Sequence, residues 1–214
     1  MSRSGSVWTY YNDFYKYDPA TNTWTQLGNL PFSLVGSTYF AQNGKGYVLC
    51  GYENSLETAE VWEYNPVTDS WLQKNNFPGG ARIGMLSFTT ANRVFVGTGG
   101  NLSGSVSYVD FWEYHVSSDT WTQKANFIGP QRNWSVGVGL QDKYCIIISG
   151  RETTLNNFLN DVWSYDINND TWAQEQSFPG NARYGAVGFA TNAFKAYFGT
   201  GANAPGSIKK DFWE

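Results

Sequence analysis

The chain has few of the residues that usually carry metal, redox or hydrolytic chemistry. It has one histidine, His115, and two cysteines, Cys50 and Cys145, in 214 residues. Their spacings match no zinc site, and the sequence contains no Ser-His-Asp set, P-loop or dinucleotide fingerprint. The cysteines stand at different positions relative to the strand-ending glycines Gly51 and Gly150. They therefore read as free, buried thiols, and no cofactor or metal is expected. Basic runs are also missing: no Lys/Arg run exceeds two residues and the net charge is −4, which argues against a nucleic-acid surface. No apolar stretch reaches the roughly 18 residues of a membrane-spanning helix. The opening Met1-Ser-Arg-Ser-Gly5 shows no apolar run of the signal-peptide type. Charge is scarce (15%) while aromatics are abundant (18%, with ten Trp), the reverse of a disordered composition.

What the chain does have is a repeated phrase. DFWEYHVSSDTWTQKANF at 110–127 returns as DVWSYDINNDTWAQEQSF at 161–178 and EVWEYNPVTDSWLQKNNF at 60–77. A weaker copy, DFYKYDPATNTWTQLGNL, lies at 13–30. The second Trp falls at Trp24, Trp71, Trp121 and Trp172, in steps of 47, 50 and 51 residues. A period near 50 indicates a repeat architecture in which no unit can bury its apolar face alone, so 1–214 reads as one domain. The units run approximately over 13–33, 34–81, 82–131, 132–182 and 183–214.

Within one unit, residues 82–90 and 93–100 read as two strands around a tight turn, A and B. Residues 101–108 are a polar Gly/Ser loop. Residues 109–115 alternate in the manner of a strand, C, and 120–124 form a fourth, D. Tyr17, Tyr64, Tyr114 and Tyr165 each precede their Trp by seven residues. An Asn or Asp (22, 69, 119, 170) closes each C–D hairpin, as these residues tolerate turn dihedrals. The indoles are expected to wedge between neighbouring sheets, each burying about 150–250 Å². Short four-stranded antiparallel sheets set around an axis are the blades of an all-β propeller.

The Tyr and Trp seven apart, the Gly-ended strand and the Arg opening strand A together resemble the kelch repeat, over nearly all of 12–214. The wording of the phrase is similar to kelch proteins of Bacteroidetes-type bacteria, many of them exported, which implies a periplasmic or cell-surface location. Some positions depart from the pattern. The Gly-Gly doublet occurs once, at Gly99-Gly100, and Leu34 replaces the Arg found at 82, 132 and 183. The inventory of C–D, three A–B–C–D units and a final A–B with the start of a C strand at 211–214 predicts about four blades cut from a longer propeller of about five to seven. The alternative is a closed four-bladed ring in which the first C–D hairpin completes the last A–B pair.

The A–B turns, such as Thr90–Asn92 and Ala190–Asn192, are short and uniform. The B–C loops at 52–59, 101–109, 151–160 and 202–210 differ between copies, so the D–A/B–C face is expected to bind. Arg82, Arg132 and Arg183 recur on that face, with two readings: gripping an anionic sugar or acidic peptide, or pinning their own blades. Trp134 occupies the place of Gly84 and Gly185 and can stack on a sugar, anchor a peptide or fill core. Tyr184, Tyr52, Tyr108 and Phe158 are further ligand candidates. The expected function is a non-enzymatic module for a protein or glycan, with self-association through open blade edges as a hazard. The resemblance also brings enzymes into view. Galactose oxidase-like copper sites need two His, so one His excludes a complete site within this chain. Sialate mutarotase-like chemistry would need an Arg and a carboxylate such as Glu53, Glu57 or Glu152.

Overall fold

The computed structural model describes residues 2–4, 7–53, 55–153, 157–191, 194–204 and 206–214, with backbone only for 2–4 and 7–9. Among the described residues every regular element is a strand. Strands β1 (Ser2–Ser4) and β2 (Val7–Thr9) pair with each other. A leading hairpin follows, β3 (Phe14–Asp18) and β4 (Thr23–Leu27), which forms its own two-stranded sheet.

The first blade is β5 (Thr38–Gln42), β6 (Lys45–Glu53), β7 (Leu56–Asn65) and β8 (Ser70–Lys74), paired in chain order. The second is β9 (Leu86–Thr89), β10 (Val94–Gly97), β11 (Phe111–His115) and β12 (Thr120–Lys124). In the third, the innermost strand is split into β13 (Arg132–Asn133) and β14 (Val136–Leu140). Both halves pair with β15 (Tyr144–Glu152), which is followed by β16 (Asn157–Asp166) and β17 (Thr171–Glu175). The fourth blade is β18 (Val187–Thr191), β19 (Lys195–Gly199) and β20 (Phe212–Trp213). The innermost strands β5, β9, β14 and β18 touch in succession, which sets the four blades radially around a channel.

Three sequence expectations change. In the second blade strand A does not begin at its Arg: β9 starts at Leu86 rather than Arg82, because Gly84 adopts φ +62° and turns the chain. The B–C segments of the first and third blades are not loops. Strands β6–β7 and β15–β16 run on as paired hairpins past bulges at Cys50 and Ser149, both at positive φ; residues 54 and 154–156 at their tips lie outside the described residues. The closed four-bladed alternative is not adopted either. Strand β20 takes the place beside β19, and the leading hairpin stays against the first blade, where Phe14 meets Tyr64 and Trp71. The Ala190–Asn192 turn lies partly outside the described residues.

The core sits between blades rather than within them. Phe40, Tyr47, Leu49 and Val61 of the first blade meet Val94, Val96 and Tyr114 of the second. Phe88, Phe95 and Phe111 of the second meet Ile147, Trp163 and Tyr165 of the third. A wholly buried Phe such as Phe111 contributes about 1.5–3 kcal/mol, so each sheet is stabilised chiefly by its neighbour. The repeated phrase adds a polar clasp to each interface. Asp69, Asp119 and Asp170 sit in the C–D turn at positive φ. Each accepts the hydroxyl of its own Tyr (64, 114, 165) at 2.7 Å. Each also accepts a backbone N–H from the end of the preceding sheet, at Gly28, Asn75 and Ala125 respectively. The indoles of Trp71, Trp121 and Trp172 return the bond to the carbonyls of those same three residues. Phe77 and Phe127, from two of the D–A connections, each stand edge-on to two indoles at once, an interface Trp and the Trp of a strand C. Trp24 differs from the other three. It is 68% exposed, since no described sheet lies against that side of the leading hairpin.

Candidate functional site at the channel mouth

The D–A/B–C face is organised by one left-handed residue per blade. Gly36, Gly84, Trp134 and Gly185 share φ between +56° and +68°. Their backbones link in sequence around the axis: Gly84 N–H donates to Gly36 O at 3.0 Å, Trp134 N–H to Gly84 O at 2.8 Å, and Gly185 N–H to Trp134 O at 3.0 Å. Three of these positions are glycine because positive φ costs any other residue roughly 1–2 kcal/mol. Trp134 is the exception. Its half-buried indole extends over Gly84 and reaches Gly36, with ring atoms 3.0 Å from where a Cβ would stand on either. Below this collar the innermost strands enclose cavities of about 260 and 450 Å³, lined by Tyr39, Ser87, Gly137 and, deeper, Phe189.

The residue before each collar position bridges to its own B–C segment: Val35 to Tyr52, Ile83 to Gly100, Asn133 to Arg151, and Tyr184 to Ala202. Ile83 is apolar and buried. Its counterpart Asn133 is equally buried, yet its side-chain oxygen has no hydrogen-bond partner among the described residues, which is rare for a buried acceptor. Tyr184 stacks on Phe158 at 5.2 Å. Trp134, Tyr184, Phe158 and Tyr52 therefore gather at the mouth, each partly exposed. Asn133 and Arg151 were not among the ligand candidates drawn from the sequence. Only the break in the repeat pattern at 133–134 pointed this way.

The arginines are placed differently. Arg82, Arg132 and Arg183 are fully buried. Each donates to both oxygens of an aspartate 28 or 29 residues on: Asp110, Asp161 and Asp211. Each also donates to the carbonyl of a left-handed residue in or just after strand B, the buried Thr98 and Ser149 and the half-buried Thr200, and through Nε to a carbonyl two residues back. Tyr108 lies against Arg82, its ring 3.8 Å from the guanidinium carbon. The same aspartates accept the indole N–H of Trp112, Trp163 and Trp213. Arg183, followed by Trp213, holds Asp211 well below the usual carboxylate range. The guanidinium donors are thus engaged inside the blades. The carbonyls of Arg82, Arg132 and Arg183 tie neighbouring blades by accepting the N–H of Gly51, Gly99 and Gly150. The aspartates were legible as the D of DFW and DVW. In the first blade, where Leu34 replaces Arg, that position is Glu60, which still receives Trp62.

Of the carboxylates considered for catalysis, Glu57 on β7 accepts the N–H of Leu102 and so ties that strand to the B–C loop of the second blade. Glu53 is raised from its ordinary value, first by burial and then by Glu60. His115 bonds Thr122 on the hairpin. Among the described residues no cluster of three His, Cys, Asp or Glu could hold a metal ion, and no helix is long and apolar enough to cross a membrane.

Repeats, blades and mouth define a kelch-type β-propeller. The Kelch motif family matches residues 3–31, and the solved structure titled "Structure of YjhT" superposes with a TM-score of 0.80 at 16% identity, over 94% of this chain and 72% of that one. N-acetylneuraminate epimerase of Shigella sonnei (strain Ss046) is 40% identical over 47 residues, and that of Escherichia coli (strain K12) 38% over 47. These matches take in 22% of this chain and span only 13% of the length of either relative.

Proposed function

We propose that this propeller is a non-enzymatic binding module that takes a glycan at its channel mouth on the D–A/B–C face. The observation that carries the reading is Trp134: a partly exposed indole where every other blade has glycine, laid across the axis beside an unpartnered buried acceptor, Asn133 Oδ1. A flat apolar surface with a few convergent polar groups is the usual make-up of a small-ligand site, and an indole offers one at low entropic cost. The Tyr184–Phe158 stack forms a second aromatic wall. Glycan and peptide arrays probed with the protein and with Trp134→Ala test this. Glycan binding lost in the variant supports it. Binding unchanged by the substitution, or confined to peptides, overturns it.

A second reading is favoured by the 47-residue similarity to N-acetylneuraminate epimerases. It makes the mouth a site for interconverting that sugar, with Arg151 and Glu53 or Glu152 as nearby charged groups. NMR exchange between the forms of N-acetylneuraminate, accelerated by the protein and slowed by substituting these residues, would replace the binding module with this reading.

A further inference from the structure

The residue before each collar position makes the same backbone bridge in every blade, yet its side chain differs: Val35, Ile83, Asn133 and Tyr184. Ile83 and Asn133 are buried alike, at 5% and 2% exposure. The scaffold therefore accepts a branched apolar side chain at this place. It offers the amide oxygen of Asn133 no partner among the described residues. Asparagine is also a poor strand former, and Arg132–Asn133 is strand β13. On packing alone, position 133 should be Ile or Val.

Thr98 and Ser149 also hold buried hydroxyls without a partner among the described residues. They occupy one place in two successive blades, the left-handed position before Gly99 and Gly150, and so belong to the repeat. Asn133 Oδ1 does not recur. It adjoins the other irregularity of the collar: Asn133 Cβ and the indole of Trp134 flank the same spot on Gly84, 3.2 and 3.0 Å from where a Cβ would stand. The residue that breaks the pattern with a stacking surface is thus next to the one that breaks it with an unpaired acceptor. Local rules are broken most often at functional sites.

We infer that Asn133 sets the chemistry of the ligand at the mouth: its Oδ1 accepts a hydrogen bond from an uncharged donor, a hydroxyl or an amide N–H, on the glycan that stacks on Trp134. This rests on the glycan-binding reading above. An amide oxygen carries lone pairs and no proton, so it takes a donor and repels a carboxylate. Neutral glycans are therefore preferred over acid-capped ones. Oδ1 is covered in the free protein, so binding includes a side-chain rotation at 133 or 134, a common event at binding surfaces. A buried acceptor left unpaired destabilises the free protein, and the residue is kept for the ligand rather than for the fold.

Thermal melts and a glycan array, with wild type and two variants, test the inference. Asn133→Ile, which copies the preceding blade, is expected to raise Tm by at least about 2 °C. It is also expected to weaken binding to neutral glycans at least about tenfold. Asn133→Leu, closer to asparagine in shape, carries the same expectations. Wild type is expected to prefer neutral glycans to their uronate- or sialate-capped counterparts. A lower Tm in both variants makes Asn133 a scaffold residue and overturns the inference. So does glycan binding unchanged in both, or a wild-type preference for acid-capped glycans. If Trp134→Ala abolishes binding and the Asn133 variants do not, the glycan-binding reading stands and this inference falls. If wild type binds no glycan, both fall.

Discussion

The guanidinium of Arg132 holds both carboxylate oxygens of Asp161, at 2.7 and 2.6 Å, while Asp161 in turn accepts the indole N–H of Trp163. Removing one partner of such a pair leaves a charge in a site built for two, which costs about 3–5 kcal/mol when the pair is buried. Arg132→Met is expected to destabilise the protein by that amount in urea unfolding. Arg132→Lys should recover little of it, since a point charge cannot span two oxygens and a carbonyl. The double change Arg132→Met with Asp161→Asn should cost less than Arg132→Met alone. The first blade already lives without the arginine, with Leu34 and Glu60 in these places.

At position 134 the usual ranking of glycine and alanine in a strand region should reverse. The backbone there has φ +56°, so Trp134→Gly is expected to be about 1 kcal/mol more stable than Trp134→Ala. Gly84→Ala introduces both the dihedral strain and a Cβ 3.0 Å from the indole, and should be destabilising by at least about 1 kcal/mol for the strain alone. Thermal melts of the four proteins check both statements.

Acid should loosen the clasps between blades. The N–H of Gly28, and then the hydroxyl of Tyr64, hold Asp69 below its ordinary pKa. A depressed carboxylate contributes stability that is present above the unfolded value of about 3.9 and is lost as pH falls through the folded one. Glu63 and Glu113 act in the same sense. Burial pushes each up, but Lys45 with Tyr47, and Arg93, respectively, outweigh it. Tm is therefore expected to drop below about pH 4. Asp69→Asn should flatten part of that drop while changing little at neutral pH, because an amide oxygen can still accept from tyrosine, as Asn22 does from Tyr17.

The thiols should be silent in the native state. Burial pushes Cys50 up to about 12 and Cys145 well above its ordinary value, and only the thiolate reacts. A disulfide reagent at mildly alkaline pH is expected to find no reactive group in folded protein and two after denaturation. Rapid labelling of native protein would contradict this.

Much of the scaffold is legible from sequence because its signals are local. The Tyr, the turn Asp five residues on and the Trp two beyond that meet within one hairpin, so their spacing encodes their geometry. The partner of that Asp, a backbone N–H some 41 to 45 residues earlier, leaves no trace in composition. The same holds for the bridge from Arg82 to Asp110, although the D of DFW repeated in phase with the Arg. The kink at Gly84 was hidden because a left-handed glycine and an extended one are spelled alike. At the mouth, the substitution at 134 was visible; its reach over Gly36 was not, since that contact spans two blade boundaries.

The collar on the axis is joined through main chain alone, each of its three links made by an N–H and a carbonyl and none by a side chain. What projects from 36, 84, 134 and 185 is therefore independent of what keeps the blades in line. Selectivity at the entrance can drift one blade at a time, by exchanging a hydrogen for an aromatic group or back, while the architecture underneath stays unaware of the trade.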